Sequence, residues 1–275
     1  VITVVSLHVY PLKSGAAIPL AAAPAGPRGF PHDRCWMLVD AEGCCLTQRE
    51  HPALALVRFV PQEGAVRAEA PGMEPLHVPW PPAQGEHVTV RIWSDTVTAA
   101  AGSRDADAWF SRYLGAACRL AGAGAGTRRL LPAKQVPEGG EAAFQDSMPY
   151  HLVSLSSLAE LNRRSSSPVT VERFRPNIVV KGSEPFAEDS WRRIAVGGVP
   201  FRVVKPVGRC AVTTVDQSTG ARGREPLAVL ATFRRRENTV LFGQYLIAEA
   251  KGPVHVGDTV DVTAASTPSS PISAP

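Results

Sequence analysis

Proline and glycine interrupt this chain too often for long helices. Its 275 residues include 25 prolines and 23 glycines, a share well above the roughly 12% usual in globular proteins. Between the breaks stand short apolar and β-branched runs, the pattern of many short strands joined by turns. The fold class expected is α+β, mainly β, with a few helices. Hydrophobic residues make up 44% of the chain, enough for a real core, and the length suits two modest domains or one large β-rich domain.

Residues 1–10, 34–40 and 53–61 read as strands. Residues 88–99 alternate, with Val88, Val90 and Ile92 on one side and Thr89, Arg91 and Trp93 on the other. Residues 105–117 are the first convincing helix, capped by Ser103 or Asp105, with Trp109, Phe110, Tyr113 and Leu114 as an apolar stripe. The glycine-alanine run 122–126 reads as a loop. Its third glycine comes one residue early for a dinucleotide fingerprint, and no helix pattern follows. Residues 130–143 read as an exposed loop near a domain junction. Beyond it, 152–154 reads as a strand and Ser157–Glu160 as a capping box opening a helix. Segments 177–181, 194–196, 201–205 and 211–215 read as strands. A helix is expected over 226–236, with Leu227, Leu230 and Phe233 inward, and closing strands over 239–248 and 254–262. The chain thus divides into a barrel-like domain over 1–120, a second β-barrel-like domain over 121–265, and a disordered tail over 266–275.

The net charge of +4 is mild. It does not suggest a nucleic-acid partner, and it suits a pocket for a small anion. The five cysteines, Cys35, Cys44, Cys45, Cys118 and Cys210, are odd in number and irregular in spacing, against a disulfide framework. No C-x-x-C pair suggests structural zinc, and a reducing compartment, cytoplasmic or organelle-associated, is the default. No apolar run approaches the roughly 20 residues of a membrane span. The chain opens on Val1, which carries the expectation that an upstream targeting or anchor segment has been removed. His8, His32, His51 and His151 are not spaced as metal ligands and read as structural or surface residues. Neither a Gly-x-Ser-x-Gly nor a phosphate-loop motif is present.

Cys210 carries the most chemistry. It follows Gly208 and Arg209, and Ala211-Val212-Thr213-Thr214-Val215-Asp216-Gln217-Ser218-Thr219-Gly220 follows it. The reading puts the thiol at the mouth of a strand beside a permanent cation, Arg209. Such a cation favours the thiolate that attacks electrophiles or binds soft metals. An inert buried thiol is the bland alternative.

This segment resembles the core motif of the MOSC domain, the molybdenum-cofactor sulfurase C-terminal domain. The likeness continues in order along the chain. Tyr10-Pro11-Leu12-Lys13-Ser14, Asp33-Arg34-Cys35-Trp36 and Thr47-Gln48-Arg49-Glu50-His51-Pro52 resemble motifs of the MOSC N-terminal β-barrel domain. Arg173-Phe174-Arg175-Pro176-Asn177, Glu188-Asp189-Ser190-Trp191 and Phe242-Gly243-Gln244-Tyr245 match in the second half. Within that superfamily the chain looks like the amidoxime-reducing component family, which carries these two parts and little else. No cysteine follows Cys210, so no iron–sulfur cluster is expected.

The resemblance implies a β-barrel domain packed on a MOSC domain, with molybdenum-molybdopterin between them. By it, Cys210 is the metal ligand, a soft sulfur suited to such a centre. Lys13, Ser14, Arg34, Arg175, Asn177, Arg209 and Tyr245 match cofactor contacts, with Arg49 and Arg173 as weaker candidates. Ser147 aligns with a polar contact. Met148 stands where animal relatives carry a hydroxyl, and Gly208 where some carry serine. Asp216 orders the turn after the cysteine or assists proton transfer as a catalytic group; turn-forming neighbours favour the first. The activity implied is two-electron reduction of N-hydroxylated compounds such as amidoximes, hydroxylamines and N-hydroxylated bases. Nitrite reduction to nitric oxide is a further activity the resemblance allows. Electrons would come from a partner protein: cytochrome b5 with its NADH-dependent reductase, or a flavin or ferredoxin-type donor. Two other classes stand beside this one, a non-catalytic carrier of molybdenum cofactor or sulfur, and a metal-free interaction module.

Overall fold

Strand Thr3–Val9 does not pair within the first half of the chain alone. In a computed structural model, which describes residues 1–80, 86–124 and 126–266, it runs antiparallel to Ile178–Lys181, with Thr3 opposite Lys181 and Leu7 opposite Ile178. With its partner Ile18–Leu20 it thereby joins a nine-stranded sheet otherwise built from the second half. The order is Ile18–Leu20, Thr3–Val9, Ile178–Lys181, Tyr150–Ser154, Thr239–Ala248, Val199–Arg209, Trp191–Val196 and Val260–Ala265, with Arg235–Arg236 paired beside Thr239–Ala248. One neighbouring pair is parallel, Tyr150–Ser154 with Ile178–Lys181, and the helix Leu155–Arg164 lies in its crossover. Leu7, Tyr150, Ile178, Phe201 and Leu246 are buried together on this sheet. The molecule is a mixed α+β protein with a β-rich N-terminal part, a second part built on the large sheet, and few helices.

The N-terminal part holds two smaller sheets. Trp36–Val39, Arg119–Gly122, Asp95–Ala101 and His87–Ile92 form one, and Arg58–Gln62, Ala65–Glu69 and Leu76–Pro79 the other. Helix Arg104–Leu114 covers them, burying Ala106, Trp109 and Phe110. Ser103 caps it by accepting from Ala106 N at 3.2 Å. It stops three residues short of the expected end because Gly115 takes φ +64° at its C-terminus.

Several expectations need correction. Residues 88–99 are not one strand but a hairpin, His87–Ile92 and Asp95–Ala101, turning at Trp93 and Ser94. The turn carries no glycine or asparagine signal. Residues 52–56 coil into a 3-10 turn, Pro52–Leu56, before the strand begins at Arg58. The loop 130–143 is not wholly exposed: Arg129–Leu130 pairs with Glu141–Ala142, and Leu131, Val136 and Ala142 are buried. Ser157 is not a cap. Ser154 caps that helix, and Ser157 lies within it, its hydroxyl bonded to the buried carboxyl of Glu188 at 2.7 Å. Residues 211–214 form a 3-10 turn, Ala211–Thr214, not a strand. The helix expected over 226–236 spans Leu227–Phe233, and Arg235–Arg236 turn back as a strand. The tail expected over 266–275 lies, from residue 267 onward, outside the described residues.

Candidate active site

A cleft opens between the two parts, lined by residues of both, and such an interface is a usual place for a cofactor pocket. Cys210 lines it from the end of strand Val199–Arg209, where the chain turns into Ala211–Thr214. Six cationic side chains share the lining: Lys13, Arg34, Arg49, Arg173, Arg175 and Arg209. Among the described residues, Asp146 is the one carboxylate that joins them.

The backbone reaches this arrangement through uncommon conformations. Of the seven described non-glycine residues with positive φ, Ser14, Arg34, Arg175 and Trp93 belong to the cleft or touch its wall. Each such residue costs about 1–2 kcal/mol, and strain of this kind gathers where geometry serves a site.

Arg34 and Arg175 clasp Tyr10. Their guanidinium carbons lie 4.1 and 4.3 Å from its ring centroid. Arg34 Nη1 pairs with the buried carboxylate of Asp33 at 2.7 Å, and its Nη2 donates to Arg175 O at 3.0 Å. Arg175 Nη1 donates to Gly15 O at 2.6 Å. Asn177 is committed as well: its Oδ1 accepts from Arg34 Nη1 and His151 N, each at 3.2 Å, and its Nδ2 donates to His8 O at 3.1 Å. These bonds tie the N-terminal segment to strand Ile178–Lys181 and hold the charges in place.

Arg209 is adjacent to Cys210 in sequence, yet it does not supply the cation at the sulfur. Its guanidinium turns away and donates to Phe242 O at 2.8 Å, Phe174 O at 3.1 Å and His151 Nε2. The cation at the sulfur is Arg49, whose Nη2 donates to Cys210 Sγ at 3.0 Å. Burial pushes the Arg209 guanidinium down to about 10, and burial with Arg34 nearby does the same to Arg175.

His151 is neither surface nor remote from chemistry. It is 4% exposed and lines the cleft. Burial first, and then Arg209, hold its pKa well below the usual value, so the ring is neutral. Its Nε2 accepts from Arg209, and Nδ1 faces Arg175 O at 3.4 Å. Gly243 makes room for it. That residue has φ +77°, and a Cβ there would stand 2.6 Å from His151 Nε2 and 2.7 Å from Leu152 O.

Lys13 ion-pairs with Asp146 and donates to Phe144 O at 2.9 Å. Desolvation opposes charge on Asp146, but Lys13 foremost, with Arg49 and Arg34, holds its carboxyl down at about 2. Burial pushes the Tyr245 phenol up to about 12, so it keeps its proton. Ser14 accepts from Gln48 N at 3.3 Å. Met148 and Gly208 line the cleft, and Ser147 is not among its lining residues. Asp216 stands outside that lining too. Its Oδ1 accepts from Ser218 N and Thr219 N at 2.9 and 3.0 Å, and its Oδ2 from Arg173 at 2.8 Å. The Ser218 hydroxyl, donating to Oδ1 at 2.5 Å, foremost holds its carboxyl at about 2, aided by the Ser218 amide and Arg173.

The MOSC N-terminal beta barrel domain matches residues 1–117, and the MOSC domain matches residues 139–261. Mitochondrial amidoxime reducing component 2 of Rattus norvegicus is 34% identical over 278 aligned positions, covering 94% of this chain and 82% of that protein. The chain belongs to the amidoxime-reducing component family of MOSC proteins. The Homo sapiens amidoxime reducing component 2 is 32% identical over the same shares of both chains. Human molybdenum cofactor sulfurase is 31% identical, but the match spans 89% of this chain and 30% of that protein. Membership in the amidoxime-reducing component family supports a molybdenum-cofactor-linked, oxidoreductase-type role.

The residues present fit such a group by their donor chemistry. Among the described residues no cluster of three or more His, Cys, Asp or Glu could hold a metal unaided. One sulfur faces a strongly cationic cleft, so the site suits a metal that brings its remaining ligands on an anionic, phosphate-bearing carrier. No helix among the described residues is long and apolar enough to cross a membrane. Sequence reasoning missed Asp146 and His151 and ranked Arg49 too low. Arg49 carried one cue, its place in the Thr47–Pro52 motif; the other two carried none.

Proposed function

We propose that this protein is a molybdenum-molybdopterin-dependent reductase of N-hydroxylated compounds, acting on amidoximes, hydroxylamines and N-hydroxylated bases. Nitrite is a further oxygen-bearing substrate on the same reading. The observation that carries the proposal is a single cysteine sulfur held by Arg49 in a cleft lined by six cations and one carboxylate. Cys210 would ligate the metal. Lys13, Ser14, Arg34, Arg49, Arg175, Arg209 and Tyr245 would surround the pterin and its phosphate, with Asn177 orienting Arg34 and His151. Bound there, the cofactor supplies two-electron redox chemistry, and the protein supplies placement and electrostatics. Each turnover takes an N-hydroxylated compound, two electrons and two protons to the amine and water. Asp146, ionised at neutral pH, acts as an acceptor for substrate N–H groups rather than as the resting proton source. Electrons come from a partner protein, a cytochrome b5 with its reductase or a flavin or ferredoxin-type donor.

The test is molybdenum and pterin content in wild type and Cys210→Ala, together with reduction of benzamidoxime to benzamidine by a chemical reductant. About one molybdenum per chain, lost in the variant, with turnover in the wild type, supports the proposal. Cofactor that transfers to an acceptor protein without turnover points instead to a carrier. Absence of molybdenum from protein made in cofactor-producing cells overturns both.

A further inference from the structure

Trp93 occupies a position unfavourable to tryptophan. It is the first of two residues turning the hairpin between His87–Ile92 and Asp95–Ala101, and its φ is +56°. Two-residue hairpin turns favour glycine, asparagine or aspartate at such a position, because a bulky side chain crowds the left-handed backbone. Burial does not compensate. Trp93 is 49% exposed, whereas Trp36, Trp109 and Trp191 are 1, 7 and 3% exposed.

What the indole touches is the cationic wall of the cleft. Its centroid lies 4.5 Å from Arg49 Cζ and 5.6 Å from Lys13 Nζ. Arg49 in turn reaches Cys210 Sγ at 3.0 Å. One guanidinium therefore separates a half-exposed aromatic ring from the sulfur at the centre of the site.

We propose that Trp93 is a specificity-determining residue, a stacking platform at the cleft rim for flat, delocalised N-hydroxylated substrates such as aryl amidoximes and N-hydroxylated bases. The proposal rests on the reading of the cleft as an N-hydroxy reductase site. A π-face accepts any flat ring in offset stacking. Small aliphatic hydroxylamines have no ring to stack and do not use the platform.

The experiment compares Trp93→Gly and Trp93→Phe with wild type in the cofactor-loaded protein. Glycine suits the backbone at φ +56°, so the first variant keeps a wild-type melting temperature. Expected is a fall of about tenfold in kcat/KM for benzamidoxime, mostly through KM, with N-methylhydroxylamine nearly unaffected and phenylalanine restoring most of the loss. Independently of turnover, benzamidoxime shifts one indole N–H resonance in the NMR spectrum of labelled protein, the one missing from Trp93→Gly. Equal losses on both substrates make Trp93 a support for Arg49 and overturn the platform, as does an indole resonance that does not move. If wild type reduces neither substrate, the reductase reading fails, and the indole titration still decides whether Trp93 binds flat amidoximes.

Discussion

Arg49 and Cys210 lie 161 positions apart in sequence, yet Nη2 of one stands 3.0 Å from Sγ of the other. The contact bridges the two halves of the chain. Gln48 and Gln217 reinforce it by exchanging side-chain hydrogen bonds of 3.1 and 3.0 Å, and Arg222 donates to the Arg49 and Glu50 carbonyls. The cation that serves the sulfur is therefore brought by tertiary structure, while the neighbour in sequence, Arg209, is turned to backbone carbonyls.

Replacing Arg49 by glutamine removes the charge-assisted donor at Cys210. The expected result is alkylation of Cys210 by iodoacetamide slowed several-fold in cofactor-free protein at neutral pH, read by peptide mass spectrometry. Arg209→Gln, by contrast, lowers stability with a smaller effect on that rate. The opposite ranking of the two variants would return the role to Arg209.

Gly243→Ala tests the room made for His151. Its Cβ would collide with His151 Nε2 and Leu152 O at a residue whose φ is +77°, so a loss of about 3 kcal/mol is expected in urea unfolding. Gly64→Ala is the control. It has φ +65° with nothing within 4 Å of a new Cβ, and its loss is the backbone contribution alone, about 1 kcal/mol.

Glu188 gives the fold a pH dependence. Its side chain is 1% exposed, and burial, partly offset by Ser157, pushes its carboxyl up to about 7. A carboxyl raised above its unfolded value binds more protons in the folded state, so its contribution to stability falls as pH rises from about 4.5 to about 7. Below that window there is no penalty, and above it the loss is of order 3 kcal/mol. Glu188→Gln keeps an acceptor for Ser157 and removes the titration. Urea unfolding at pH 5 and pH 8 should show the variant gaining on wild type only at the higher pH.

Asp216 serves the turn after the cysteine and anchors Arg173. Asp216→Asn is expected to lower stability by about 1 kcal/mol and to leave the shape of the pH–rate profile for benzamidoxime unchanged. Loss of one limb of that profile would make Asp216 a proton-transfer group.

The strands over 3–9, 178–181 and 239–248 and the helix from Arg104 were legible because burial periodicity and caps are local signals. The hairpin turn at Trp93 was not, because its backbone defies the preference of its residue. Ala211–Val215 reads as a strand by its β-branched residues, yet Thr213 N and Thr213 Oγ1 both bond to Cys210 O and wind the segment into a 3-10 turn. Lys13, Arg34, Arg175 and Cys210 were picked out one by one from motifs, and all four line one cleft.

Residue order alone determined the inventory: one thiol after Gly-Arg, a set of cations in short motifs, and a chain punctuated for short strands. Folding decided which of those cations meets the thiol, which are tied up by carbonyls, and which further neighbours, Asp146 and the buried His151, join them. The reason is that propensity and capping act over a few residues, whereas the pairing of Thr3–Val9 with Ile178–Lys181 brings together groups far apart along the chain. Charge and hydrogen bonding depend on distance in space, and no local pattern encodes that distance.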